Sequence, residues 1–236
     1  MTTKEFSDAF DTLLNAYSTQ IRFGDSASLV LALDEYEKSL FLTQAQEQII
    51  VELYTGRNEK TSSFEKTEEL RSNLRSLIKT ATLTESNEDF SGISKYSKFF
   101  ILPDDVLFIT YESVTISDKN AGCKDTTKIT VVPVTQDEFD KVMNNPFRQA
   151  SKRRALRLDN GLDVAEIVTK YNIKDYTIRY ISKPTPIVLA NLDEVSIDGV
   201  DTITECKLNS AMHRYILERA VVLAVASRGI QNKGNV

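Results

Sequence analysis

The chain has 236 residues, with 29 Lys and Arg against 34 Asp and Glu, which gives a formal net charge of -5. Hydrophobic residues make up 41% of it, an ordinary share for a globular protein that buries a core of its own. The acidic balance excludes a surface that coats nucleic acid generally, and the count of only 8 glycines excludes glycine-rich phosphate loops.

The chain begins with a pattern typical of an amphipathic helix. Thr2 and Glu5 have the spacing of a capping box, in which each side chain binds the backbone amide of the other residue. Apolar residues then recur along one helical face, and this stripe predicts core packing rather than a cofactor pocket. The residues of that face are Phe6, Phe10, Leu13, Leu14, Tyr17 and Ile21.

Two further helices are predicted before the texture of the sequence changes near residue 80. Residues 28–33 fit either a short helix or a buried extended run. Thr43 and Gln46 repeat the capping-box spacing, which predicts that a second helix starts there and runs to about Tyr54. A third helix is predicted over 64–79. Its apolar stripe consists of Leu70, Leu74, Leu77 and Ile78.

Beyond this point β-branched and aromatic residues cluster, and their alternation predicts a mostly antiparallel sheet of roughly five to seven strands. The predicted strands are 80–84, 98–102, 106–116, 128–134, 155–158, 164–169 and 176–181. Strand 106–116 is apolar on both faces in its first half, which predicts a central or sandwiched position for that half. A loop with turn residues predicts a hairpin between this strand and strand 128–134.

A short helix, 135–144, is predicted in the connection that follows the hairpin. Thr135 and Glu138 give a third capping-box pattern at its start. The dipeptide Asn145-Pro146 ends it, because a proline disfavours helical conformation in the residue before it.

The carboxy-terminal part combines a strand and a helix. Pro184 and Pro186 stop regular pairing after strand 176–181, since each proline removes a ladder donor. The last helix is predicted over 208–227. Residues 220–226 are apolar without a break, which predicts a helix buried all round, on which the other helices pack.

Together these elements predict an α+β fold. Three amino-terminal helices and the carboxy-terminal helix are expected to form a bundle, with a mostly antiparallel β-sheet domain inserted. The expected divisions are a helical part over 1–80, a β-rich domain with one short helix over 81–205, the final helix over 206–229 and a flexible tail over 230–236.

No residue pattern predicts an active site, so no catalytic, metal-binding or cofactor-binding residue is expected. His213 is the only histidine, and no nucleophile lies at a suitable spacing from it. One basic concentration stands out, and it consists of Arg148, Lys152, Arg153, Arg154 and Arg157. These charges are either exposed positions of strands and loops or contacts with an acidic partner surface or with phosphates.

Cysteine use and the start of the chain bear on its location. A disulfide between Cys123 and Cys206 is not expected, because cysteines this sparse are typical of reducing compartments. The first residues lack the pattern of a signal peptide, and no apolar run approaches the roughly 20 residues that span a bilayer. We therefore expect a protein made in the cytoplasm without a membrane anchor.

Four stretches carry a resemblance to a known family. They are Phe-Leu-Thr-Gln-Ala-Gln at 41–46, Asn-Pro-Phe-Arg at 145–148, the segment 176–189 with its Arg-Tyr-Ile-Ser-Lys-Pro-Thr-Pro-Ile run, and the final helix with Leu208 and His213. In this order they resemble virion structural proteins of crAss-like tailed phages that infect Bacteroidetes. Those proteins in turn resemble the head–tail adaptor, or ring, proteins of short-tailed phages.

The resemblance implies a non-enzymatic subunit of the head–tail connector. Copies of the chain would form a ring, with twelve as the expected number, docked below the portal protein and next to further tail or ring proteins. Genomic DNA would pass through the lumen during ejection without sequence-specific binding, and the acidic net charge suits such a channel. The implied location is the neck or tail of the virion.

Two alternatives remain open from the sequence. The first is another ring or tail-hub layer of the same virion. The second is an intracellular regulatory or nucleic-acid-binding protein that uses the basic concentration, which salt-dependent DNA binding would reveal.

Overall fold

The computed structural model of the chain describes residues 1–20, 33–56, 68–88, 90–117, 127–161 and 163–227. In these ranges the chain forms five α-helices and seven β-strands, so the fold is α+β as predicted. The helices are α1 (Thr3–Gln20), α2 (Glu35–Thr55), α3 (Glu68–Leu74), α4 (Phe139–Met143) and α5 (Ser210–Ser227). The strands are β1 (Ile78–Leu83), β2 (Ser97–Ile101), β3 (Val106–Ile116), β4 (Thr127–Pro133), β5 (Arg154–Asp159), β6 (Val164–Val168) and β7 (Ile173–Ser182).

The chain divides into two compact units. Met1–Leu77 and Pro184–Val236 form the helical unit, and Ile78–Lys183 forms the sheet unit. Residues 184–205 belong to the helical unit. The predicted tail over 230–236 lies outside the described residues. Within the described ranges no helix has the length and apolar content needed to cross a bilayer.

Helix α1 has the predicted start and buries Phe6, Phe10 and Leu14 of the predicted inner face, whereas Tyr17 of that face is 38% exposed. The Thr2 amide donates to Glu5 Oε2 at 2.9 Å, and the Glu5 amide donates to Thr2 Oγ1 at 3.3 Å, which completes the capping box. Phe6 and Phe10 are fully buried. Lys38 of α2 ties the two helices together, because its Nζ lies 2.7 Å from Asp11 Oδ2. Ile21 lies outside the described residues.

The predicted start of the second helix is wrong. Helix α2 begins at Glu35, eight positions before Thr43, and Asp34 caps it by accepting a hydrogen bond from the Glu37 amide at 2.7 Å. Thr43 and Gln46 are therefore not cap residues, and both side chains are buried in the middle of the helix. Of residues 28–33, for which the sequence leaves two alternatives open, 28–32 lie outside the described residues.

Three polar side chains of α2 hold an extended segment, residues 184–189, which we call the strap. Ser39 Oγ accepts from the Leu189 amide at 3.0 Å, and Thr43 Oγ1 accepts from the Ile187 amide at 3.0 Å. Gln46 Nε2 donates to the Thr185 carbonyl at 2.9 Å. Because these side chains follow one face of α2, they pair with alternate strap residues as a neighbouring strand would.

The third helix ends earlier than predicted, and residues 64–67 of the predicted range lie outside the described residues. Helix α3 ends at Leu74 and is followed by one 3₁₀ turn, Arg75–Leu77, so that Ile78 already belongs to β1. Leu74 and Leu77 are buried as expected. The predicted helical stripe continued through Ile78, but pairing of this residue with Ile181 of β7 takes it into the sheet.

Helix α5 is buried on one face only, which corrects the expectation of burial all round. Met212, Ile216, Leu217, Ala220, Val221 and Ala224 are buried. Tyr215 is 62% exposed and Val222 is 49% exposed on the opposite face. Helix α5 meets α1 where the rings of Phe6 and His213 lie 5.3 Å apart. The Asn209 side chain caps the helix by accepting from the Ala211 amide at 3.2 Å.

The seven strands form a mixed sheet in the order β1-β7-β3-β4-β5-β6-β2. All neighbours are antiparallel except β4 and β5. The β3–β4 pair is the predicted hairpin, and its strands align Ile116 with Thr127. Because β4 and β5 are parallel, their connection must cross over the sheet, and this crossover contains α4.

The sheet curls so that its two ends approach each other. Phe100 of β2 and Tyr176 of β7 have ring centroids 5.2 Å apart, although β2 is the last strand in the order and β7 the second. Both belong to one apolar core inside the curl. The Ser86 amide donates to the Phe99 carbonyl of β2 at 2.8 Å. The segment 84–88, which directly follows β1, thereby closes a seam against the outer edge of β2.

Two predictions about the sheet unit need correction. Helix α4 begins at Phe139, and Glu138 precedes it without a side-chain cap, so that no capping box with Thr135 forms. In β3 the first half is only half-buried, whereas Ser113, Val114 and Ile116 of the second half are buried. Val114 and Ile116 belong to the core of the curl, and the second half pairs with both β4 and β7.

Candidate functional site

The single histidine is part of the helical core. The Nε2 of His213 donates to the Leu208 carbonyl at 3.1 Å, so Nδ1 is free to accept from the Met1 ammonium group at 2.8 Å. Burial lowers the pKa of His213, and the nearby ammonium group acts in the same direction, although the bond to the Leu208 carbonyl raises it. A neutral imidazole with both nitrogens engaged has a structural role here.

The described residues offer no metal centre and hold one of the two cysteines. No group of three or more His, Cys, Asp and Glu side chains within those residues could hold a metal ion. Cys206 is a free thiol whose Sγ lies 3.3 Å from Gln46 Oε1, and burial raises its pKa. Cys123 lies outside the described residues, so that the expectation about a disulfide stays a prediction.

The structure divides the five basic residues of the sequence-based candidate into three groups. Arg148, Lys152 and Arg153 are exposed and lie together on the loop that connects α4 to β5. Arg154 is half-buried at the first position of β5. The Arg157 side chain is only 13% exposed, and it lies near the carboxylates of Glu112 and Asp159.

Arg157 belongs to a buried polar cluster. Its Nε lies 3.5 Å from Glu112 Oε1, and Tyr176 Oη donates to Glu112 Oε2 at 2.7 Å. Burial raises the pKa of Glu112, although the charge of Arg157 acts in the opposite direction. Burial and the neighbouring carboxylate together raise the pKa of Tyr176. Arg157 thus balances a buried carboxylate within this chain.

Arg154 holds the exposed loop in one shape. Its Nη1 donates to the carbonyls of Phe147 and Arg148 at 3.0 and 3.2 Å. Asn145 Oδ1 accepts from the Phe147 amide at 2.9 Å, and the Asn145 carbonyl accepts from the Arg148 amide at 3.0 Å. Buried Ala150 anchors the underside of the loop in a small apolar cluster. These contacts define what we call the basic loop, residues 145–153.

The basic loop presents an aromatic side chain to solvent. Phe147 is 89% exposed, while its backbone is held on both sides by hydrogen bonds. Aromatic residues and arginine are enriched among the residues that contribute most of the binding energy at protein interfaces. Because the backbone of Phe147 is already held, little backbone freedom is lost when this residue binds a partner. The arrangement therefore fits an interaction surface that combines an apolar centre with a positive rim.

Sequence reasoning missed Phe147 as a candidate. The available signal was the position of Phe147 between Pro146, which lies shortly after α4, and the run of basic residues. A large apolar side chain at that position belongs to no helical or strand periodicity. The same reasoning grouped Arg157 with the exposed residues. Strand alternation could have separated it, since it shares a strand face with Ala155, whose side chain is buried in the core of the curl.

Comparison with known proteins gives a consistent picture along the whole chain. The family described as phage tail ring protein 3/4 matches residues 1–235. The chain is 50% identical over 230 residues to Ring protein 3 of Bacteroides phage crAss001, which covers 97% of this chain and 96% of that protein. It is 32% identical over 238 residues to Ring protein 4/5 of the same phage, with 96% and 93% covered.

Proposed function

Because the chain belongs to the family of phage tail ring proteins 3/4 and is a ring protein of a crAss-like phage virion, we propose that it forms one ring of the head–tail connector. The observation that carries this proposal is the match to the family over residues 1–235. Copies of the chain assemble into the ring, with twelve as the proposed number, and neighbouring virion proteins dock on its two sides.

The finer proposal places this ring below the portal protein, as an adaptor through which the genome leaves the head. A net charge of -5 suits a channel wall that DNA must pass without binding tightly. We propose that α1, α2 and α5 act as the bundle-like body of the subunit. The contacts of Lys38 with Asp11 and of Arg219 with Glu52, at 2.7 and 2.8 Å, support this role.

We propose no enzymatic activity and no cofactor for the chain. The polar groups that could have served chemistry have partners of their own: His213 binds the Leu208 carbonyl, and Glu112 binds Tyr176 and faces Arg157. Among the sequence-predicted contact residues, Arg148, Lys152 and Arg153 are the ones that we assign to partner binding, since they are exposed.

Electron cryomicroscopy of the purified virion tests the proposal, together with mass spectrometry of the virion proteins. We expect the chain in the particle and its fold in a symmetric ring next to the portal. Absence of the chain from the particle would refute the ring function. A ring of this chain at a different level would refute only the adaptor position.

A second placement within the virion is favoured by one observation. The chain resembles relatives named for different rings of one phage, Ring protein 3 and Ring protein 4/5, at 50% and 32% identity. Another ring or tail-hub layer of the same virion is therefore the alternative that the same micrographs would reveal.

A further inference from the structure

A groove lies at the seam of the curled sheet. It is lined by residues 82–87 and by Ile101, and its volume is about 360 Å³. A cavity of roughly 150 Å³ already accommodates a benzene ring, so the groove has room for an aromatic side chain. Ile101 is 46% exposed and Leu83 is half-buried, which leaves apolar surface available in the groove. We call this feature the seam groove.

The surroundings of the seam groove are acidic. Glu85 lines it and is 47% exposed, and Glu88 follows on the same segment and is also exposed. Lys98 Nζ lies 3.6 Å from Glu85 Oε2, but the Lys98 side chain is only 18% exposed, whereas that of Glu85 is 47% exposed. The seam groove therefore has a mostly polar lining in which Leu83 and Ile101 are the apolar side chains, with Glu85 at its rim. The basic loop combines the apolar Phe147 with a positive rim.

The strand order places these two features on opposite sides of the curled sheet. The basic loop belongs to the crossover between β4 and β5, the fourth and fifth strands in the order. The seam lies where the first strand, β1, leads into the segment that pairs with the seventh strand, β2. A subunit of a closed ring needs two different, complementary faces, since neighbours in a ring meet head to tail.

We infer that Phe147 of one subunit inserts into the seam groove of the next copy of this chain, so that the basic loop and the seam groove form the contact between neighbours in the ring. Arg148, Lys152 and Arg153 then face the rim that carries Glu85 in the adjacent subunit. The contact repeats around the ring and uses both features of every subunit. This inference rests on the proposed ring assembly and specifies which surfaces close it.

Disulfide trapping in assembled virions tests the contact directly. Phe147→Cys and Ile101→Cys are combined in a chain whose two natural cysteines are replaced by serine, and the particles are oxidised. We expect covalent dimers and longer ladders under denaturing, non-reducing conditions. Each single-cysteine variant and the pair Ile101→Cys with Tyr215→Cys are the controls. Tyr215 is also exposed, at 62%, but it belongs to neither feature.

The two possible failures are distinguishable. If the chain with its native Phe147 and Ile101 is absent from the particle, the proposed function fails. If the ring is visible in the particle but the 147–101 pair gives no more cross-linking than the controls, only the inferred contact is wrong. The double variant Arg148→Ala with Arg153→Ala gives a second test. The contact is also refuted if this variant leaves cross-linking unchanged and removes salt-dependent binding of the ring to DNA. The basic loop would then bind DNA phosphates instead of the next subunit.

A solution experiment exploits the two-sided geometry. Phe147→Ser removes the inserted side chain and keeps the groove, whereas Ile101→Lys blocks the groove and keeps the loop. Because both side chains are exposed, each variant is expected to fold normally. At a concentration where the parent chain oligomerises, each variant alone should associate at least about tenfold more weakly, the scale of a lost interface hot spot. A mixture should form dimers with one copy of each variant. The inference would be overturned if either variant alone formed the same oligomers as the parent chain at the same concentration.

Discussion

Replacement of Thr43 by valine tests how the strap is held. In the native chain the Ile187 amide donates to Thr43 Oγ1 at 3.0 Å, and the same hydroxyl lies 3.4 Å from the Ile187 carbonyl. Thr43 is 5% exposed and Ile187 is fully buried. Valine has the shape of threonine and creates no cavity, so that the variant changes only the hydrogen bonds.

The expected cost follows from the amide that loses its acceptor. A buried donor left without a partner costs about 1–3 kcal/mol, and the long contact to the carbonyl adds little. We therefore expect Thr43→Val to lower the free energy of unfolding by about 2 kcal/mol. For a chain of this size that corresponds to a fall in melting temperature of about 4–8 °C.

Urea and thermal unfolding followed by circular dichroism measure this cost, and α2 supplies a matched control. Thr55 lies at the end of the same helix, is exposed, and donates to the Val51 carbonyl at 2.7 Å. Thr55→Val should change the free energy of unfolding by less than about 0.5 kcal/mol. Equal effects of the two variants would show that the Thr43 hydroxyl does not hold the strap.

Three further predictions address other parts of the chain. Folding lowers the pKa of His213 below its ordinary value of 6.5. The neutral imidazole therefore contributes to the free energy of unfolding above pH 6.5, and this contribution is lost as the pH falls through the folded pKa. Between pH 7 and about 5, the urea midpoint of His213→Gln should fall less steeply than that of the parent chain. Arg157→Met leaves the Glu112 carboxylate buried without its cation and should cost about 3–5 kcal/mol in urea unfolding, whereas a cost below about 1 kcal/mol would refute the role of this pair. Gly92→Ala would bring a Cβ within 2.5 Å of Ser97 Cβ and should cost about 1–3 kcal/mol; a melting temperature equal to that of the parent chain would contradict the close approach.

Local patterns in the sequence predicted the elements whose partners lie close along the chain. The capping box of α1 formed as expected because both of its residues are within one helical turn. The alternation of β7 placed Tyr176, Ile178 and Tyr180 on one face, and all three are buried in the core of the curl. In both cases the residues that form the sequence pattern are also the residues that make the predicted contacts.

The errors arose where distant residues decide the structure. Thr43 and Gln46 have the spacing of a cap, but their partners lie 144 and 139 residues away in the strap. Ile78 continued a helical stripe, yet pairing with Ile181 made it a strand residue. No window of a single sequence contains such partners, so the start of α2 and the end of α3 could not be located from local signals.

The candidate site was predictable in part. The concentration of basic residues was visible in the sequence, whereas its division required the fold. Arg154 and Arg157 differ from Arg148 because one caps carbonyls of the loop and the other faces Glu112 inside the curl. The seam groove could not be predicted at all, since it depends on how segment 84–88 meets β2.

The helical unit is built from two separate stretches of the sequence, Met1–Leu77 and Pro184–Val236, and the sequence of the sheet unit is inserted between them. During synthesis on the ribosome, α1 and α2 emerge first but lack the strap and α5, which emerge last. The whole sheet unit is translated in the meantime, at roughly 5–20 residues per second. We expect the nascent chain to fold its middle before its beginning, so that a subunit becomes fit for assembly only when its final helix has left the ribosome.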